Sequence, residues 1–300
     1  MANRKLKYGF LVVALATWAI WLQTSTENNS LYSLNHSIVY LYVKVHAINF
    51  LSLLSLISTS PQTVYGIVSL IVFLAYVCTL YIISLEMKFK PKISMLGLIV
   101  FLSLPFIYYV LSQGLLLRLF ASSISALSLA LALNLTKKRL VFSTILAIIA
   151  SFTYPMYVII AAITLLIWGI ASWTSNKAYA KKAIFLANVF FVILTIAYPL
   201  TYIYEPNTSL RTYMIPEFNP ALYLSLTFTV IAGFLVTYAT ESKTLYFIVP
   251  WTTIPILFYP YLNIVGSLLA TLPAIYMGLA YLLAYGINRL TMLRSNVKYE

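Results

Sequence analysis

The chain has 300 residues, of which 62% are hydrophobic and 8% charged, and its formal net charge is +13. Apolar runs of spanning length recur along it, which excludes a soluble globular protein and predicts one all-α domain, a polytopic bundle of transmembrane helices over residues 1–300. The basic residues form short clusters between these runs. That pattern is typical of membrane topology and attraction to a lipid bilayer, and it argues against nucleic-acid binding.

The first apolar run, Tyr8–Leu22, follows Arg4, Lys5 and Lys7. A basic flank of this kind keeps the N-terminus in the cytoplasm and predicts a first spanning helix. A cleaved signal peptide is the alternative, because its basic and apolar regions have the same order. No clean small-x-small cleavage site follows the run, so the uncleaved anchor is favoured.

Residues 24–63 are predicted to form an outer loop. It contains two glycosylation acceptors, Asn28 and Asn35, and an apolar stretch, Ile38–Ile57. Lys44 near the middle of that stretch would cost about 2.5–3.5 kcal/mol in a spanning helix. A crossing here would also place the lysines at 88–92 outside, so an outer interfacial helix is favoured over a span, and the question stays open.

The stretch Leu140–Ser172 is apolar and is bracketed by two basic clusters, 137–139 and 177–182. Both flanks favour the cytoplasmic side, so the stretch must cross an even number of times. Because Pro155 lacks an amide donor and disfavours helix at Tyr154, we expect two short helices, at about 140–153 and 156–172, with an outer turn between them.

The other apolar runs alternate in direction, which predicts about ten membrane segments with both termini in the cytoplasm. Sixteen of the nineteen Lys and Arg then fall inside, including those of the cytoplasmic tail 288–300. The outer loop 205–220 carries a third glycosylation acceptor, Asn207. The remaining predicted spans are Val64–Leu85, Ile93–Leu111, Leu115–Leu135, Ala183–Tyr204, Ala221–Thr240, Leu245–Phe258 and Ile264–Ile287.

Groups that support catalysis or bind metals are scarce in this sequence. Its only two histidines, His36 and His46, would lie about 15 Å apart on one helix and could not share a haem there. His46 with a methionine remains a weak candidate for cofactor binding. No metal site is predicted. Glu27 is the only acid soon after the first helix, and taken by itself it is a solvated loop residue.

Arg118 is the one ionisable residue well inside a predicted helix, less than two turns from its outer end. One interpretation is that its side chain extends to the outer headgroups. The other is a specific contact with an anionic lipid phosphate or with a carboxylate of a partner.

The stretch 104–109, followed by Gln113, Gly114 and Arg118, resembles the third and fourth spans of the C-class glycosyltransferases that depend on polyprenyl phosphates. The first outer loop with its interfacial helix and the paired short helices are also similar to that family. The resemblance covers residues 8–172. It implies a membrane enzyme that uses a lipid-linked sugar, with the carboxylate of Glu27 as the catalytic group.

The chain also resembles the hydrophobic B subunit of the haem-b cytochrome pair of thermoacidophilic archaea, in its size, hydrophobicity, number of spans and outer glycosylation acceptors. This resemblance implies a non-catalytic, multi-pass subunit of the cell membrane. It would partner a separate outward-facing protein in electron transport, with haem b in the partner and no cofactor in this chain. We take this as the first functional hypothesis, with the glycosyltransferase and a carrier of a neutral or lipid substrate as alternatives.

Overall fold

The computed structural model describes residues 61–102, 116–202 and 245–296, together with scattered helical positions between residues 6 and 19. These residues contain no strand, so the all-α prediction is confirmed for them. The helices are α1 (Pro61–Glu86), α2 (Pro91–Leu102), α3 (Leu116–Ala132), α4 (Lys137–Thr153), α5 (Pro155–Ala171), α6 (Lys177–Tyr202), α7 (Leu245–Leu257) and α8 (Tyr259–Asn296).

The predicted pair of short helices is confirmed as α4 and α5, each of 17 residues. Tyr154 alone separates them, in an extended conformation with φ −155° and ψ 94°. Pro155 then occupies the first turn of α5, where a missing amide hydrogen removes no helical hydrogen bond.

Two other helices begin at a proline, and both begin earlier than predicted. α1 starts at Pro61 rather than Val64, and α2 starts at Pro91 rather than Ile93. Pro61 therefore belongs to α1 and not to the predicted outer loop 24–63. The reason for the difference is that proline is preorganised for the first helical position, where its missing amide hydrogen removes no helical hydrogen bond.

Two of the basic clusters, 137–139 and 177–182, belong to helices rather than to the loops before them. α4 begins at Lys137 and α6 at Lys177, so the lysines of each cluster lie in the first turns. Both starts are capped, because Thr136 Oγ1 accepts from the Arg139 amide at 3.4 Å and Asn176 Oδ1 accepts from the Tyr179 amide at 3.0 Å.

α8 is a single helix of 38 residues with Pro273 in its interior. It begins at Tyr259 rather than at Ile264, the predicted start of the span, and continues to Asn296. The predicted cytoplasmic tail 288–300 is therefore helical as far as Asn296.

The basic clusters meet at one end of the bundle, which we call the basic end. There Glu86 at the end of α1 pairs with Arg139 at the start of α4, with 2.5 Å between Oε1 and Nη1. On α6, Tyr179 Oη donates at 3.0 Å to the carbonyl oxygen of Ala132, the last residue of α3. Lys182 Nζ donates at 3.0 Å to the carbonyl oxygen of Leu135, just after α3. The turn at Tyr154 lies at the opposite end, which we call the Tyr154 end.

α3 occupies the centre of the described bundle and packs against α1, α4 and α5. α6 covers α4 and α5, while α8 packs against α7 and α2. Many large apolar side chains point outwards from this core, as a lipid-facing surface requires. They include Val141, Phe142, Ile145, Phe185, Val192 and Ile196.

Among the residues that the structure describes, three helical segments are long and apolar enough to cross a membrane: Gly66–Glu86, Lys177–Ala197 and Leu269–Ile287. α5 and α7 are apolar but shorter. The predicted interfacial helix Ile38–Ile57, the span Ala221–Thr240 and the outer loop 205–220 lie outside the described residues, as does most of the loop 24–63.

Candidate functional site

Of the side chains that the sequence singled out, the structure describes Arg118. The loop acid Glu27 and the histidines His36 and His46 lie outside the described residues. The same holds for the three predicted glycosylation acceptors, Asn28, Asn35 and Asn207.

Arg118 lies in the first turn of α3, at the Tyr154 end. Its guanidinium carbon stands 5.5 Å from the centroid of the Tyr154 ring, within the range of a cation–π contact. The residue is partly exposed. The turn between α4 and α5 therefore holds the guanidinium in place and leaves part of it accessible.

Tyr157 follows one helical turn later, on α5, and is only 2% exposed. Its ring centroid lies 5.5 Å from that of Tyr154, so Tyr154 contacts both Tyr157 and Arg118. Arg118, Tyr154 and Tyr76 are close enough to act electrostatically on the Tyr157 hydroxyl. In the described part of the chain, this buried hydroxyl has no hydrogen-bond partner.

Two hydroxyl contacts attach this group to the neighbouring helices. Tyr76 Oη on α1 lies 2.5 Å from Ser122 Oγ on α3. Ser125 Oγ donates to the Tyr157 carbonyl oxygen at 3.0 Å. We call Tyr76, Arg118, Ser122, Tyr154 and Tyr157 the Arg118 cluster.

The charge of Arg118 is not neutralised by an acid in the described ranges. Glu86 is the one carboxylate there, and it lies at the opposite end, paired with Arg139. A partly exposed guanidinium without a carboxylate attracts an anionic oxygen, which it binds with charge-assisted hydrogen bonds.

Most other buried hydroxyls are bonded either to their own helix or across a helix–helix contact. Ser128 on α3 and Ser143 on α4 lie side by side, with 2.9 Å between their hydroxyl oxygens, and each hydroxyl donates to the carbonyl oxygen of the other residue. Tyr276 on α8 bonds to Ser84 Oγ on α1 at 2.7 Å and to the Ser94 carbonyl on α2 at 3.2 Å. These contacts hold neighbouring helices in register.

Residues 61–102, 116–202 and 245–296 contain no group of three His, Cys, Asp or Glu side chains that could hold a metal ion. The Arg118 cluster itself consists of a cation and hydroxyl groups. Such a set can bind and orient an anionic group.

Sequence reasoning identified Arg118 and the Tyr154 turn but missed Tyr157 and Tyr76. Tyr157 had one available signal, since it lies three residues after Tyr154 and so in the first turn of the helix that begins at Pro155. Tyr76 is one of 25 tyrosines in the chain, and the sequence does not distinguish it from the others.

Comparison with known proteins assigns no family. No protein-family model, no curated protein and no solved structure matches the chain. Its class follows from its own helices, three of which are long and apolar enough to indicate a membrane protein.

Proposed function

We propose that this chain is a multi-pass protein of the cell membrane that serves as a non-catalytic subunit. In this proposal it anchors an outward-facing redox partner that carries haem b in a respiratory membrane. The observation that carries the proposal is the use of core hydroxyls, such as Ser128, Ser143 and Tyr276, to join helices. In a membrane bundle such bonds help to fix how the helices pack, and a scaffold needs a fixed packing.

The proposed orientation follows from the basic end. Short basic segments stay in the cytoplasm, and three basic clusters lie where α1, α4 and α6 meet. The basic end then faces the cytoplasm and the Tyr154 end faces outwards. With ten membrane segments, both termini are cytoplasmic.

The decisive experiment is purification of the chain from its native membrane. We expect a separate protein to co-purify, with a b-type haem spectrum that follows that protein when the complex is dissociated. The isolated chain should show no Soret band, because the two histidines lie ten residues apart and, on one helix, cannot be the two axial ligands of one haem. A stoichiometric haem spectrum from the isolated chain that is lost in His46→Ala would overturn the proposal.

A second candidate is the C-class glycosyltransferase. The paired short helices α4 and α5 favour it, with Arg118 at the turn between them, as does the resemblance of residues 104–118. In this case Glu27→Gln should abolish transfer of a lipid-linked sugar in membranes, since the amide cannot act as a general base. Glu205→Gln, a matched change in the other predicted outer loop, should retain transfer. Equal activity of wild type and Glu27→Gln would exclude this role for Glu27.

A further inference from the structure

The Tyr157 hydroxyl is one of two buried side-chain oxygens in the described core without a hydrogen-bond partner, and the other is Thr164 Oγ1. Buried polar side chains are normally hydrogen-bonded, and each exception needs an explanation. Tyr157 is 2% exposed and its hydroxyl has no partner among the described residues, although the Tyr154 ring that contacts the Tyr157 ring also contacts the Arg118 guanidinium. A bound group would explain this hydroxyl.

The surrounding side chains define the chemistry of that group. A guanidinium only donates hydrogen bonds, and a phenol has one proton to donate. Tyr76 already shares its hydroxyl with Ser122, so Arg118 and Tyr157 are the available donors. Two donors, one of which carries a positive charge, favour a ligand with anionic oxygens.

The arrangement of the two donors favours phosphate over carboxylate. Arg118 is on α3 and Tyr157 is on α5, so the ligand must accept from two helices at once. A carboxylate presents its two oxygens in one plane, which matches the planar fork of one guanidinium, whereas the tetrahedral oxygens of a phosphate can accept from different directions. The Tyr154 ring against the guanidinium restrains Arg118 before a ligand arrives.

We propose that Arg118 and Tyr157 form a phosphate-binding site at the Tyr154 end, in which the guanidinium and the phenol donate to different oxygens of one phosphate group. The phosphate belongs to a lipid headgroup or to free phosphate. This site goes beyond the proposed subunit role and does not depend on a partner protein.

The test uses the full-length chain in a maltoside detergent, which carries no phosphate. Binding of dihexanoyl phosphatidylglycerol and of inorganic phosphate is measured separately by thermal shift. We expect wild type to bind at least one of them, Tyr157→Phe to bind it about tenfold more weakly, and Arg118→Gln to lose binding. Arg118→Lys, which keeps the charge without the fork, should bind with intermediate affinity.

Tyr179→Phe is the matched control, because this tyrosine is also largely buried but donates to the Ala132 carbonyl at the basic end. Its phosphate affinity should equal that of wild type. Without ligand, Tyr157→Phe should be no less stable than wild type, since the change removes an unpaired hydroxyl and keeps the ring.

Binding of the short-chain lipid alone would identify a headgroup site, and binding of both probes would identify a site for the free anion as well. Either result supports the proposal if Tyr157→Phe weakens the binding. No binding of either probe to wild type, or the same affinity for wild type and Tyr157→Phe, would overturn it.

Discussion

Ser128 on α3 and Ser143 on α4 are joined by reciprocal hydrogen bonds. Ser128 Oγ donates to the Ser143 carbonyl oxygen at 2.9 Å, and Ser143 Oγ donates to the Ser128 carbonyl oxygen at 3.0 Å. Both side chains are fully buried. Small hydroxyl residues at such a contact let two helices approach closely and bond across the interface.

Ser128→Ala and Ser143→Ala should each lower the free energy of unfolding by about 0.5–1.5 kcal/mol, because each removes one interhelical bond. The measurement is unfolding in mixed micelles with increasing SDS. Ser151→Ala is the control, since Ser151 is equally buried but bonds to Ala147 of its own helix. Equal losses in all three variants would contradict an interhelical role for the pair.

Gly169→Ala should destabilise the contact between α5 and α6. A methyl group at Gly169 would come within 2.6 Å of Ile184 Cγ1 and 3.3 Å of the Ala180 carbonyl oxygen, so we expect a loss of about 1–3 kcal/mol. At Gly66 a methyl group meets nothing within 4 Å, so Gly66→Ala should be neutral or stabilising. Combining Gly169→Ala with Ile184→Ala should give a loss smaller than the sum of the two.

Glu86→Gln should lower stability by about 1 kcal/mol, because it breaks the ion pair with Arg139 while both groups remain partly buried. The exchange Glu86→Arg with Arg139→Glu should restore part of that loss. Lys138→Gln, an exposed neighbour, should change stability by less than about 0.5 kcal/mol. The loss caused by Glu86→Gln should shrink at high salt, and a loss independent of salt would argue against an ionic contact.

Cysteine labelling in whole cells tests the proposed topology, in a background where the native cysteine is removed by Cys78→Ala. Cysteines at Ser30 and Ser209 should react with a membrane-impermeant reagent. Those at Ser175 and Ser295 should react only after the cells are opened, because the basic clusters keep their ends of the bundle inside. Labelling at Ser175 in intact cells would contradict the orientation of α4 and α5.

The break between α4 and α5 was predictable from the sequence because its cause is local. A proline disfavours the helical conformation at the preceding residue, and Tyr154 is extended there, although α7 and α8 continue through Pro250, Pro255 and Pro273. Helix starts were predicted less accurately at Pro61, Pro91, Lys137 and Lys177. There the apolar runs mark the lipid-embedded part of a helix, whereas proline and lysine allow the helix itself to begin earlier.

The sequence by itself determined that this is an all-helical membrane-type chain, because a composition of 62% hydrophobic and 8% charged residues suits helices that are surrounded by lipid rather than by water. It also singled out Arg118, since a charge inside an apolar run is costly wherever the helix packs. Only the tertiary structure brought Tyr76, Arg118 and Tyr157 together. They come from three helices, and no pattern along the chain specifies which faces of separate helices meet, since that depends on how their side chains pack.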